Sequence, residues 1–212
     1  MIRKGEMQIM ACSISKELID KTIAFHGHWC PGLAIGIRAA ELALHKMASV
    51  DPEDLVAVVE TDSCAVDAIQ FLTGCTFGKG NLVHKDYGKA AFSFYDRGKR
   101  VGFRAVVRTD LSGDLGMELR NLTKKVEMGT ASQEESNRVQ TLREILKERY
   151  MKADLKEIFT VTDADQPAPK PARILTSLKC EACGEMTMES RTRRFDGRTL
   201  CLPCFEKVEQ KR

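Results

Sequence analysis

The stretch FHGHWCPG, residues 25–32, places His26, His28 and Cys30 at every second position and holds two of the chain's four histidines. In an extended segment, side chains at i, i+2 and i+4 share one face, so these three donors are able to converge on a metal ion or a reacting group. Pro31 suits the first position of a helix, where a missing N–H costs nothing, and this makes Cys30 the residue that caps the helix. The positive end of the helix dipole and its free N–H groups favour a thiolate, the form that ligates metals and attacks electrophiles. Imidazole and thiolate together suit Zn²⁺ or a similar borderline metal. Fewer than four local ligands leave a coordination position open, the arrangement of catalytic and substrate-binding sites.

Further donors lie downstream in SCAVDAIQFLTGC, residues 63–75. A helix is predicted from Ser63 as N-cap to Gly74, with Cys64 and Asp67 in its first turn and Cys75 just past its end. About ten helical residues rise ~15 Å, whereas Zn–S bonds are ~2.3 Å long, so one metal cannot take both cysteines of one chain. One of them is expected to join the His/Cys cluster, while the other lies off-site or is shared across a subunit interface; Cys64, at the dipole-favoured end, is the first choice. His26, His28, Cys30 and Asp67 are the candidates for catalytic roles. The glycine-rich TGCTFGKGNL, residues 73–82, is not a P-loop, because its glycine spacing is too short and Gly80 stands where Ser or Thr should follow Lys79. It reads either as a plain turn after a helix or as a loop that offers Lys79, Thr76 and backbone N–H groups to an anionic ligand. His84 is able to reach back toward the site but is expected, as a lone loop histidine, to be solvated, and His45 to make a contact at a helix C-terminus.

A second donor set is more local. Cys180, Cys183, Cys201 and Cys204 form C-x2-C-x17-C-x2-C, and paired knuckles of this kind suit a closed, tetrahedral, structural Zn²⁺. A segment of ~40 residues buries too little apolar surface to fold alone, whereas a structural zinc contributes ~10–16 kcal/mol of apparent binding energy. Asp196-Gly197 lies between alternating arms and predicts a hairpin, and CFEKVEQKR continues the second knuckle into a helix. The module reads as a treble-clef-like ribbon with Arg191, Arg193, Arg194 and Arg198 crowded on its hairpin.

Several elements must position the first cluster. Ile14, Leu18, Ile19 and Ile23 predict a helix over about 14–25, and GLAIGIRAAELALHKMA a second one, rich in small residues that permit close packing. LVAVVE, residues 55–60, predicts a strand buried on both faces. AAFSFYDRGKRVGFRAVVRTD predicts a β-hairpin turning at Asp96-Arg97-Gly98. From about 114 to 157 the pattern is helical, interrupted at MGTAS; Ser132 and Glu135 form a capping box, and Val139, Leu142, Ile145 and Leu146 an apolar stripe. IFTVT is a candidate last strand. The fold class is therefore α+β: helices packed on a mainly antiparallel sheet over residues 1–162, a Pro-rich extended linker at 163–172, and the zinc ribbon at 173–212.

Composition narrows the function classes. The net charge is +3, and residues 1–172 balance 24 basic against 24 acidic side chains, so the excess lies in the ribbon. A neutral core without interleaved aromatic and basic residues argues against nucleic acid as the main partner. No apolar run reaches the ~20 residues of a membrane span, and MIRKGEMQIMACSI lacks a signal-peptide pattern. The cytoplasm is the expected compartment, with eight cysteines as thiols or metal ligands.

FHGHWCPG, followed by CAVDAIQFLTGCTFGKGNL and a four-cysteine ribbon, resembles the FmdE family of formylmethanofuran dehydrogenase components. The resemblance implies an α+β core, a homodimer, and a His/Cys pocket carried by His26, His28, Cys30, Cys64, Asp67, Cys75 and Lys79. It also implies association with formylmethanofuran dehydrogenase, the molybdenum or tungsten enzyme of one-carbon metabolism in methanogenesis. No pterin or iron–sulfur motif is present, so the chain itself is not expected to reduce CO₂. The ribbon is similar to that of the DksA/TraR transcription regulators, which implies an alternative: an interaction or regulatory protein docking on a partner such as RNA polymerase.

Overall fold

A computed structural model describes residues 11–209; most of the N-terminal stretch considered for a targeting signal lies outside them. The chain divides into two compact units, meeting between Pro171 and Ala172.

The first unit is built on a five-stranded sheet of order β2-β1-β3-β4-β5, with β1 Leu55–Val59, β2 Leu82–His84, β3 Ala91–Asp96, β4 Val101–Val107 and β5 Phe159–Asp163. Only β1 and β2 are parallel; every other pairing is antiparallel. Parallel neighbours require a crossover, and here it is α3, Ala65–Thr73, so β1-α3-β2 is a βαβ unit. β1 is buried throughout. Leu55, Ala57 and Val59 face the main core with Phe92, Phe94, Phe103 and Ala105, while Val56 and Val58 face Tyr95 on the other side.

The helices pack on the first of these faces. α1, Lys16–His26, starts at Ser15, whose hydroxyl accepts from Leu18 N–H, and ends at Gly27 in the left-handed region. α2, Pro31–Lys46, is the central helix; Leu33, Ala34, Ile37, Ala39, Ala40 and Ala43 are all fully buried. Its Gly36 is indispensable to the packing, since a Cβ there would lie 2.3–2.8 Å from the backbone of Ala65 at the start of α3. Arg38 and Glu41, buried in α2, pair at 3.0 Å. Arg38 also donates to the carbonyls of Met151 and Ala153, and Glu41 accepts from Ser13, which ties both ends of the unit to this helix.

α4, Gly113–Glu127, and α5, Gln133–Lys152, form the helical hairpin, and the Ser132–Glu135 capping box opens α5. Of the predicted stripe, Val139, Leu142 and Leu146 are buried, but Ile145 is 38% exposed and Tyr150 takes its place in the core. A short helix, α6 Leu155–Ile158, leads into β5. Two local expectations shift. The hairpin loop is Arg97–Arg100, with Arg100 at positive φ, because Asp96 pairs with Val101. The Pro-rich segment lies on the sheet: Ala164 and Ala168 pack against the Val56/Val58/Tyr95 face, and Arg97 donates to the carbonyls of Pro169 and Lys170.

The second unit holds two hairpins. β6 Ser177–Lys179 and β7 Met186–Met188 flank the first cysteine knuckle. β8 Thr192–Phe195 and β9 Arg198–Cys201 turn through Asp196 and Gly197, both at positive φ, and α7 Leu202–Val208 follows. Cys180, Leu200 and Cys201 make its small core with Phe205 and Val208.

Candidate metal centre

Three segment ends meet at the first cluster. α1 ends at His26, and Gly27 at φ 92° reverses the chain. Cys30 caps α2 from an extended conformation, its Sγ accepting from Leu33 N–H at 3.3 Å. Cys64, rather than Ser63, is the N-cap residue of α3, and its side chain makes no capping bond, which leaves the sulfur free. One donor atom from each of His26, His28, Cys30 and Cys64 lies within 4.8 Å of the others. The three N-terminal donors converge for a reason that simple alternation does not supply: His26 is helical, and the left-handed turn at Gly27 swings His28 back so that the two rings sit 4.4 Å apart.

Asp67, one turn into α3, accepts from His26 Nδ1 at 2.7 Å. A carboxylate accepts only, so this bond places a proton on Nδ1, and in the neutral imidazole the lone pair is then on Nε2. That Nε2 is buried and has no partner among the described residues, in a side chain only 10% exposed. A buried imidazole nitrogen without a partner is costly, and a metal ion among two sulfurs and a second imidazole would satisfy it. Carboxylate–histidine pairs of this kind orient metal ligands and raise their basicity. The donor set therefore fits a borderline transition metal. Four donors complete a tetrahedral shell, so the open position expected from local ligands is not present by count; His28 is the one exposed member. Without metal, burial and then the neighbouring Cys30 thiol push the Cys64 thiol up, outweighing the backbone hydrogen bond that lowers it.

The other candidates lie elsewhere. Cys75 is fully buried at the opposite end of α3, its Sγ 3.5 Å from Leu55 O, and burial raises its thiol pKa. Thr76 and Lys79 belong to the loop at that same far end. Thr76 N–H donates to Asn81, Lys79 N–H to Thr76 Oγ1, and Lys79 Nζ lies over Gly74 at the helix terminus. They do not line the metal centre. His45 bonds Ser13.

A cleft of about 310 Å³ opens beside the centre, lined by His26, Cys64 and Asp67 together with Thr61, Ser63 and His84. His84 is exposed, as expected, and at the end of β2 it also reaches this cleft. It does so because β2 runs parallel to β1, so the C-terminal ends of both strands emerge at the N-terminus of α3, the edge where α/β crossovers place ligand sites. A larger cleft, about 730 Å³, occupies the opposite sheet face around Glu60 and Arg104 and contains no cysteine or histidine. Arg104 donates two hydrogen bonds to Glu60, at 2.6 and 2.8 Å.

In the second unit one sulfur from each of Cys180, Cys183, Cys201 and Cys204 falls within 4.8 Å of the rest. Backbone N–H groups of Cys183 and Cys201 lower the Cys180 thiol to about 6, while Cys204 is pushed up to about 12 by hydrogen bonding to Cys201. Four sulfurs on two knuckles fit a closed structural zinc site.

Comparison with known proteins agrees with this division. A family model described as "FmdE, Molybdenum formylmethanofuran dehydrogenase operon" matches residues 25–160. One described as "Prokaryotic dksA/traR C4-type zinc finger" matches residues 173–210. The chain is 33% identical over 198 residues to a "Probable S-adenosyl-L-methionine-binding protein" of Archaeoglobus fulgidus, covering 88% of this chain and 52% of that one. It thus spans about half the length of that curated relative. Among solved structures, a tungsten formylmethanofuran dehydrogenase FmdE-like protein from Syntrophus aciditrophicus is similar, with TM-score 0.61 and 27% identity over 93% of this chain and 95% of that one. Among the described residues no helix is long and apolar enough to cross a membrane.

Proposed function

The chain belongs to the FmdE family, and from that premise we propose that it is a metal-binding accessory protein of one-carbon or redox metabolism. The core unit holds zinc, or a similar transition metal, through His26, His28, Cys30 and Cys64, and the ribbon holds a structural zinc. The observation that carries the core site is His26 Nε2, buried, without a partner among the described residues and oriented by Asp67. A metal bound there supplies a Lewis acid at the wall of the Thr61/Ser63/His84 cleft. Asp67 keeps the proton on His26 Nδ1, and His28, exposed, is the donor an incoming ligand displaces most readily. The working form is a cytoplasmic homodimer that associates with a formylmethanofuran dehydrogenase-type complex; the family description, which names that enzyme's operon, supports the association alone. The ligand named for the Archaeoglobus relative is not assigned to this chain, which matches half of that protein.

Metal analysis tests the site directly. Two metals per chain are expected, and one should remain in a Cys180→Ser/Cys183→Ser variant. A single zinc per chain, all lost in that variant, would count against the core site.

A second reading has one observation in its favour. The ribbon presents Arg193, Arg194 and Arg198 on an exposed hairpin, as a module docking on an acidic partner such as a polymerase surface would. Capture by the full chain that disappears when these three arginines become serine supports regulation through the ribbon; capture independent of them opposes it.

A further inference from the structure

We infer that Cys30 and Cys64 form a dithiol that closes to a disulfide when the core metal centre is empty and is held open as two thiolates when it is loaded. The second half of that statement rests on the metal reading given above; the first half rests on the packing of the two helix starts and on the closeness of the two sulfurs.

Both cysteines are N-cap residues, one on α2 and one on α3. The two helix starts are locked together by glycines. Gly36 lets α2 ride directly on the backbone of Ala65. At Gly32 an added Cβ would lie 3.3 Å from Cys64 Cβ, 3.8 Å from Cys30 Sγ and 3.9 Å from Cys64 Sγ. One point on α2 is thus within 4 Å of both sulfurs, and the sulfurs themselves lie no more than 4.8 Å apart. To form a bond of ~2.05 Å the two sulfurs therefore have to close by at most about 2.8 Å. The remaining core cysteines are spectators: Cys75 is sealed in the core against Leu55 O, and Cys12 sits against Glu41. Cys64, by contrast, lines the open cleft.

The chemistry balances with a peroxide as the oxidant. A thiolate attacks one peroxide oxygen, the O–O bond breaks, the cysteine becomes a sulfenic acid, and the departing hydroxide takes up the proton the thiol had released and leaves as water. The second thiol attacks the sulfenic sulfur, an S–S bond forms, the S–O bond breaks, and a second water leaves. Two thiols lose two electrons and two protons in all, and a dithiol reductant reverses the change. Once the sulfurs are joined, neither is a thiolate ligand, and His26 and His28 alone do not retain the metal. Oxidation and metal loading are therefore mutually exclusive at this site.

The test uses the full chain, either treated with a chelator or loaded with zinc, exposed to hydrogen peroxide and mapped by peptide mass spectrometry after thiol blocking. Chelated protein should yield a Cys30–Cys64 linked peptide, two hydrogens lighter than the sum of its parts. The peptide should vanish after reduction and be absent from zinc-loaded protein. Separate sulfinic acids on Cys30 and Cys64, with no linked peptide, overturn the inference. So does a linked peptide forming equally with and without zinc. Zinc counted separately in the Cys180→Ser/Cys183→Ser variant tells the two failures apart: one metal retained leaves the metal centre standing without the dithiol, and none retained removes the metal centre itself.

Discussion

Replacing Asp67 by alanine isolates the role of the second coordination layer. The Asp67 side chain makes one hydrogen bond among the described residues, to His26 Nδ1 at 2.7 Å. Charge-assisted hydrogen bonds contribute about 1.5–3 kcal/mol, and the Asp67 side chain is 40% exposed, which places this one near the lower end through solvent screening. About 1.4 kcal/mol is a tenfold change in affinity, so Asp67→Ala should weaken zinc binding at the core centre by about tenfold, the lower edge of the range known for outer-layer carboxylates. Asp67→Asn keeps an amide oxygen able to accept from Nδ1, so it preserves orientation, loses only charge, and should weaken binding less. Competition against a chromophoric chelator, with the ribbon already loaded, reads the core site separately, and the ribbon metal serves as an internal control. Asp67 also sits in the first turn of α3, where an acid adds about 0.3–1 kcal/mol, so a small drop in melting temperature is expected as well. Zinc affinity within twofold of the parent in Asp67→Ala would refute the argument that this carboxylate orients a metal ligand.

Other perturbations probe what holds the site in place. Gly36→Ala drives a methyl group into the backbone of Ala65 at 2.3–2.8 Å; denaturant unfolding should show a loss of about 1–3 kcal/mol, with weakened core-site metal binding. Glu41→Ala leaves the Arg38 guanidinium buried without its counter-ion, and equilibrium unfolding should register about 3–5 kcal/mol. Arg104 holds the Glu60 carboxyl below the usual carboxylate range; the stability this contributes is present above the ordinary pKa of about 4.3 and is lost as pH falls through the lower folded value. The melting-temperature gap between parent and Glu60→Gln should therefore be full at neutral pH and shrink below about pH 4. Cys204→Ser should release the ribbon zinc and expose residues 173–210 to limited proteolysis, while the core unit melts unchanged.

How much of the fold and the site is legible in the sequence depends on how local each feature is. The ribbon's four cysteines lie in two knuckles whose internal spacing nearly dictates their geometry, so spacing alone identifies the site. Cys30 as a cap follows from Pro31, because the constraint acts within one residue. The choice between Cys64 and Cys75 can only be narrowed: helix length excludes both from one centre, but which end meets Cys30 is decided where Gly36 crosses Ala65, a contact between segments distant in sequence. Glycine-rich composition makes Lys79 and Thr76 resemble site residues, whereas their loop closes locally on Asn81 and Gln70 at the far end of α3. His84 carries no signal of its own, since its place depends on the parallel pairing of two short strands. The proline-rich segment has a linker's composition, yet two small alanines suffice to seat it on the Tyr95 face.

The two cysteine sets stand in opposite relations to folding. In the ribbon, two of the four ligands belong to the core itself: Cys180 and Cys201 are buried beside a single fully buried leucine, Leu200. Removing the metal leaves little apolar surface to resist unfolding, so binding and folding are one event there. The core ligands sit instead on helix ends fixed by packing that does not involve them, with Leu33, Ile37, Ala65 and Ile69 buried beneath. That framework fixes the backbone of His26, Cys30 and Cys64 through packing in which no ligand takes part. A site of this kind is able to load, release and exchange its metal without unfolding the protein. The ribbon is not, and this difference, more than ligand count, separates the two centres.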